Sequence, residues 1–219
     1  MIKRIAYRVY YFAFVALFLF TCASLIFIYP QGRSFFIFNG LNAPPLDWFF
    51  SWYTHVGDGL TGVIICALLL LFYNLGSGMF ALAGMGICGI ISYACKYYFF
   101  IDSDRPHHFF WGNKMIHYVE GVVVNTENSF PSGHTLTAFF IFTFIALLSF
   151  SRAVFIQVLL ALFAVLVAYS RVYLAQHFVG DIIAGACIGI LLALMCYKVY
   201  TKSKNIPVFN KSIIKLVKK

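Results

Sequence analysis

The sequence predicts an all-α, polytopic membrane protein: a bundle of six transmembrane helices with a polar site at its outer, periplasmic face. Three observations lead there. Apolar residues make up 62% of the chain and charged residues 11%, against about half and about a quarter in soluble domains, so there are too few charges to solvate a globular surface. Six stretches approach the ~20 apolar residues that cross a bilayer. The loops on one side collect cations and histidines that a simple connector does not need.

The six spans lie at about 8–29, 58–75, 79–98, 134–151, 153–170 and 180–200. Each is read as a helix, because backbone polar groups in hydrocarbon must be satisfied within the segment. Lys3, Arg4 and Arg8 give the first span a signal-peptide look. Its apolar stretch exceeds the usual ~7–15 residues, which favours a retained span. Between the first two spans, "NAPPLDWFFSWYT" (42–54) holds Trp48, Phe49, Phe50, Trp52 and Tyr53. That pattern reads as an interfacial aromatic belt, or as a short interfacial helix flanking a lateral lipid entrance. A long insert, 107–128, contains "HYVEGVVV", the pattern of a small hairpin around Glu120-Gly121. The whole chain, 1–219, reads as one domain with its core at about 8–200 and a basic cytoplasmic tail at 201–219. Cys22, Cys66, Cys88, Cys95, Cys187 and Cys196 lie in or at the ends of apolar runs with no CxxC pair, as small hydrophobes rather than a disulfide frame or metal site.

Orientation follows from counting Lys and Arg by side. Lys3, Arg4, Arg8, Arg152 and the seven from Lys198 onward fall on one side, against Arg33, Lys96, Arg105, Lys114 and Arg171 on the other. Both termini are therefore expected in the cytoplasm, with loops 30–57, 99–133 and 171–179 facing the periplasm or exterior and the chain in the cytoplasmic (inner) membrane. The formal charge of +9 owes much to the tail, which suits an anchor on anionic lipid. No basic patch interleaves with exposed aromatics, so nucleic acid is not an expected partner.

Three outward segments carry the chemistry. "CKYYFFIDSDRP" supplies Lys96 and Arg105, "FPSGH" supplies Ser132, Gly133 and His134, and "YSRVYLAQHFVGD" supplies Arg171, His177 and Asp181. Ionisable groups at the ends of spans are costly and are functional candidates by default. His177 and Asp181 are four apart, so on a helix they share a face, and the carboxylate can fix the imidazole tautomer and sharpen the other nitrogen as a nucleophile. The bland alternative is a helix-entry histidine with an unrelated aspartate. Ser132 and Gly133 lie where the fourth span begins, and free amides at such an N-terminus attract anions. A plain N-cap after a proline turn accounts equally for Ser132. Arg105 and Arg171 are forked donors suited to phosphate oxygens, and Lys96 is a point charge. Three cations in one pocket repel each other unless a polyanion sits between them.

Together these segments resemble the type 2 phosphatidic acid phosphatase superfamily, which also contains the vanadium haloperoxidases. "PSGH" and the Ser170-Arg171…His177…Asp181 pattern match its second and third signatures at their spacing. The first, a Lys followed by Arg-Pro, is usually shorter than here, where eight residues separate Lys96 from Arg105. Two extra residues turn a helix by roughly 200°, so Lys96 reaches the pocket only where the helix ends nearby or the insertion loops out. Asp102 and Asp104 adjoin Arg105 as potential neutralisers, and Lys114 is the alternative cation. The resemblance implies a phosphatase that needs no metal or cofactor. His177 attacks phosphorus to give a phosphohistidine, Asp181 orients it, and His134 protonates the leaving oxygen and later activates water. Lys96, Arg105, Ser132, Gly133 and Arg171 hold the phosphate. The implied substrates are membrane lipid phosphates of the undecaprenyl pyrophosphate, phosphatidylglycerophosphate, phosphatidic acid or lipid A class, with no obligatory protein partner. His55, His107, His108 and His117 read as surface or interfacial groups, with His107-His108 placed to touch a head group. A lipid phosphotransferase uses the same intermediate. A transporter would put polar groups at the midplane of broken helices, and a haloperoxidase is generally larger and soluble.

Overall fold

The computed structural model describes residues 8–29, 32–149 and 153–217. Lys3, Arg4, Arg152, Lys218 and Lys219, which enter the charge count, lie outside them. The described residues are all-helical, without strands. The first helix, α1 (Arg8–Ile28), buries only Tyr11, Val15 and Cys22. Their spacings of four and seven put them on one stripe. Phe20, Phe27 and Ile28 stand exposed elsewhere on α1, an arrangement that suits lipid and not water.

Two short helices, α2 (Arg33–Asn39) and α3 (Pro44–Tyr53), follow. Pro44 opens α3 because a missing N–H costs nothing at the first helical position. A 3₁₀ turn, Thr54–Gly57, leads into α4 (Gly59–Leu68), which a π turn extends to Tyr73; Pro44–Gly57 and Gly59–Tyr73 meet at a 60° bend. Next come α5 (Leu75–Ala94), prolonged by a π turn over Cys95–Phe99, and the single turn α6 (Pro106–Phe109). The bundle closes with α7 (Gly133–Leu148), α8 (Val154–Tyr173) and α9 (Val179–Ser203). By length and composition α1, α5 with its π turn, α8 and α9 can each cross a membrane, and the bent α3–α4 pair makes a fifth candidate.

The fourth expected span, α7, is different in kind. Its 16 residues reach only about 24 Å, and 13 of them are buried, as befits a helix that is apolar all round. It is the axis on which the others pack. α9 presses against it through Gly185 and Gly189, where an added Cβ would lie 2.6 Å from the Ser132 carbonyl and 2.5 Å from the Leu136 carbonyl. Only glycine allows backbones this close. On another face, the Tyr11 hydroxyl meets Thr143 Oγ1 at 2.7 Å, satisfying both buried groups.

The insert is tied down by buried polar bonds rather than by a hairpin. Residues 119–122 do turn, with Gly121 at φ 79° and Val122 N donating to the Val119 carbonyl at 3.2 Å, but the flanking segments do not pair as strands. Asn39, fully buried, instead donates to the carbonyls of His117 (2.9 Å) and Tyr173 (2.8 Å) and accepts from His117 N (2.8 Å). Asp47 of α3 accepts from His117 Nε2 at 2.8 Å and from the Tyr173 hydroxyl. These bonds join α2, α3, the insert and the end of α8. The basic tail also differs from a free extension. Leu75 N, an unsatisfied donor at the start of α5, donates to the Lys211 carbonyl at 2.8 Å, and Phe209 packs edge-on to Phe80. A last helix, α10 (Ile213–Val217), follows.

Candidate active site

The turn between α8 and α9 presents the first group of side chains. Ala175 adopts a left-handed conformation (φ 54°), which lets Gln176 N and His177 N fold back onto the Arg171 carbonyl at 2.9 and 3.2 Å. The chain then re-enters as α9, where Asp181 Oδ2 accepts from Phe178 N at 3.0 Å. His177, 1% exposed, places Nδ1 3.3 Å from Asp181 Oδ2. Ser129 Oγ donates to the same carboxylate oxygen and lies 3.4 Å from His177 Nδ1. Nε2 of His177 has no hydrogen-bond partner among the described residues. Burial pulls this imidazole well below its ordinary pKa, and the charges of Arg105, Arg171 and Lys96 and then His134 push the same way. The ring is therefore neutral near pH 7.

All three expected cations converge on this ring. Arg105, buried just ahead of α6, is aimed by Nε to the Glu127 carbonyl (2.8 Å) and by Nη1 to the Gln176 carbonyl (3.2 Å) and Oε1 (3.1 Å). Asp104, a potential neutraliser, bonds His108 Nδ1 at 2.7 Å instead. Arg171 in the last turn of α8 donates through Nη1 to Thr54 Oγ1 at 2.5 Å, while its Nε is buried without a partner. Lys96 sits in the π turn that ends α5. The helix stops at Phe99, and 100–104 loop out before Arg105 N is fixed by the Thr126 carbonyl at 2.8 Å. The extra length is thus absorbed outside helix, and Lys96 lies within electrostatic range of Arg105, Arg171 and Asp181. Lys114 is exposed on the insert and joins none of this.

The start of α7 completes the cluster. Ser132, fully buried, is a true N-cap whose Oγ accepts from Thr135 N (3.4 Å) and Thr135 Oγ1 (2.9 Å). Ser132 N is held by the Asp181 carbonyl at 3.1 Å, which docks α7 on α9. Gly133 and His134, the first helical residues, have amides without an intrahelical acceptor. His134 Nε2 lies 2.5 Å from Asp58 Oδ1, and that bond is the main reason Asp58 is held down at a pKa of about 2.

Two cavities meet at His134. One, about 460 Å³, opens among Trp52, His55, the 120–125 turn, Arg171 and Gln176. The other, about 320 Å³, runs past Lys96 and Gly133 between α4 and α5, along Gly59, Gly89 and Ser92. The aromatic segment 42–54 does form a helix, and Trp52 on it lines the larger cavity. Among the described residues, no three His, Cys, Asp or Glu converge as a metal would require. His107 bonds the Tyr118 hydroxyl (2.9 Å) and lines neither cavity.

Four partners escaped the sequence reading: Thr54, Asp58, Ser129 and Gln176. Gln176 and Ser129 flank the recognised motifs and were readable as neighbours. Thr54 and Asp58 belong to a segment about 75 residues earlier than His134, and only an Asp at the outer mouth of a span hinted at them.

Comparison with known proteins identifies the family and the fold. Residues 77–205 match the family model for the PAP2 superfamily. The chain is 30% identical over 185 residues to a lipid A 4′-phosphatase of Porphyromonas gingivalis, covering 80% of this chain and 75% of that protein. It is 38% identical over 78 residues to phosphatidylglycerophosphatase B of Bacillus subtilis, a match spanning 32% of this chain and 38% of the relative. The crystal structure of Aquifex aeolicus LpxE superposes with a TM-score of 0.63 at 26% identity, over 75% of this chain and 92% of that one. The fold is also that of the PAP2-type phosphatidylglycerolphosphate phosphatase from Bacillus subtilis (TM-score 0.62, 24% identity, 90% and 98% covered). The family match spans more than half of the chain and includes all eight site residues of the sequence signatures, with Asp58 added from outside it by the fold; the chain belongs to the PAP2 superfamily.

Proposed function

We propose that the protein is a membrane lipid-phosphate phosphatase working through a phosphohistidine on His177. The observation that carries this is the cluster of Lys96, Arg105 and Arg171 around a neutral imidazole, with a buried Arg171 Nε that no group among the described residues satisfies. Burying cations without partners costs several kcal/mol each, and a phosphate supplies both the charge and the acceptors. In the first step His177 Nε2 attacks phosphorus while the bond to the lipid oxygen breaks and His134 gives that oxygen a proton. Asp181 accepts from His177 Nδ1 and balances the positive charge that develops on the ring. In the second step His134 takes a proton from water, water attacks phosphorus, and the P–N bond breaks to free phosphate. The cations and the amides of Gly133 and His134 hold the equatorial oxygens throughout.

The topology we infer has six crossings, with α7 sheathed by its neighbours, both termini in the cytoplasm and the site at the outer face of the cytoplasmic membrane. The Lys and Arg asymmetry supports it. A lipid substrate is supported by the relatives' names and by the slot between α4 and α5, which runs from Lys96 and His134 along the apolar helices to Cys88. The test is phosphate release in detergent from undecaprenyl pyrophosphate, phosphatidylglycerophosphate, phosphatidic acid and a lipid A phosphate. Wild type releases phosphate from at least one of them, and His177→Ala from none. Retained turnover in His177→Ala removes it as the nucleophile.

A further inference from the structure

We propose that Asp58 is the positioning residue of the proton donor: it holds His134 by Nε2–H, so that the ring delivers its proton through Nδ1. This rests on the reading of His134 as the acid that protonates the leaving oxygen. Asp58 is the residue immediately before α4, where a carboxylate would ordinarily cap the helix, yet its side chain makes no cap bond. Its two oxygens go to two imidazoles instead, Oδ1 to His134 Nε2 at 2.5 Å and Oδ2 to His55 Nδ1 at 2.7 Å. The His134 and Asp58 side chains are 30% and 34% exposed and His55 is 62% exposed, so the chain of bonds runs from the pocket towards the surface. His55 fixes the carboxylate, and the carboxylate fixes the ring.

The other charged and titratable groups facing His134 are Arg171 from α8, Lys96 from the end of α5 and His177 from the α8–α9 turn. Burial opposes a second proton on the ring most strongly, and the two cations add to that opposition. Asp58 is the carboxylate that favours that proton. Because the bond from His134 keeps Asp58 ionised down to about pH 2, the proton they share resides on Nε2 and not on the carboxyl. Nδ1 has no hydrogen-bond partner among the described residues, which leaves it for the reaction. When the P–O bond breaks, the Nδ1 proton passes to the lipid oxygen and the ring becomes neutral, still anchored by Nε2–H. When water attacks the phosphohistidine, its proton returns to Nδ1 and Asp58 stabilises the imidazolium again. The same carboxylate thus serves both halves of the cycle.

Leaving-group dependence tests this. A poor leaving group needs protonation, whereas 4-nitrophenolate does not, so loss of the acid is felt selectively. We expect Asp58→Asn to lower turnover of short-chain phosphatidic acid roughly 30-fold and of 4-nitrophenyl phosphate less than about threefold, part of the 10²–10⁴ that general acids contribute. The alkaline limb of the phosphatidic acid pH profile moves about one unit lower. Asparagine is as good an N-cap as aspartate, and the ratio between substrates is insensitive to the fraction of folded enzyme. Equal losses on both substrates with an unmoved pH profile overturn the proposal. His134→Ala separates the two levels of argument. If it shows the selective loss and Asp58→Asn does not, only the role of Asp58 fails; if His134→Ala shows no selectivity, the assignment of His134 as the acid fails.

Discussion

Adding one methyl group at Gly185 should disable the site from a distance. The Cβ of Gly185→Ala would sit 2.6 Å from the Ser132 carbonyl oxygen, 3.2 Å from Leu136 N and 3.2 Å from Thr135 Cβ. A tolerable C···O approach is roughly 3.3 Å, so α9 and the start of α7 must part by about 0.7 Å. Both atoms of the clash with Ser132 are held by backbone, so no rotamer change relieves it. Overpacking of this kind costs ~1–3 kcal/mol, against up to ~1 kcal/mol returned by alanine's better helix propensity. The net loss of stability is about 1–2 kcal/mol. The functional loss is larger, because the same contact docks the Ser132–His134 amides against His177 and Asp181 through the 3.1 Å bond from Ser132 N to the Asp181 carbonyl. A displacement approaching 1 Å at reacting groups costs up to ~10²-fold, so phosphate release should fall about 10- to 50-fold. The assay is initial-rate phosphate release in detergent beside a thermal melt. Gly86→Ala on α5, whose Cβ meets nothing within 4 Å, is the control and should melt no lower than wild type. A Gly185→Ala protein with wild-type rate and melting temperature would falsify the close α7–α9 contact as the device that aligns the site.

Two further outcomes follow from the geometry. Lys96→Met should lower turnover by ~10²-fold or more, because it removes a cation from the transition-state charge, whereas Lys114→Met, exposed on the insert, should stay near wild type; the reverse pattern in phosphate release would transfer the role to Lys114. The depressed pKa of His177 also predicts acid sensitivity. Below about pH 6.5 the unfolded chain takes up a proton that the folded ring refuses, so its stabilising contribution is full above that pH and is lost on going lower. The slope is at most about 1.4 kcal/mol per pH unit. Melting curves between pH 6.5 and 5 should therefore be flatter in His177→Asn than in wild type, and parallel curves would contradict a buried neutral imidazole.

Much was legible before any coordinates. Apolar composition and span length located the helices, since the demand that a lipid-immersed backbone bond to itself leaves little choice. The Pro-Ser-Gly turn before α7 is a local feature that the fold retains, whereas His177 lies ahead of the Phe178 N-cap and meets Asp181 across the start of α9, not along one helical face. Other predictions depended on long-range contacts. The "HYVEGVVV" pattern carries strand-like residues, but Asn39, Asp47 and Tyr173 capture this part of the insert, and no strand ladder forms. The 201–219 tail reads as a basic anchor on anionic lipid, and its bond to a donor at the start of α5 is a contact that composition does not reveal.

What the sequence by itself determined was the solvent, the helical class and the identity of the polar groups at the ends of the spans, because each follows from composition or from spacings within one turn of chain. What only the tertiary structure decided was which groups meet. Lys96 joins the pocket because a π turn and a loop take up its extra residues, and Asp58 meets His134 across 76 positions of sequence. Hydrogen bonds and ion pairs act over a few ångströms, and chain distance carries no information about them until α4, α5, α7, α8 and α9 are packed.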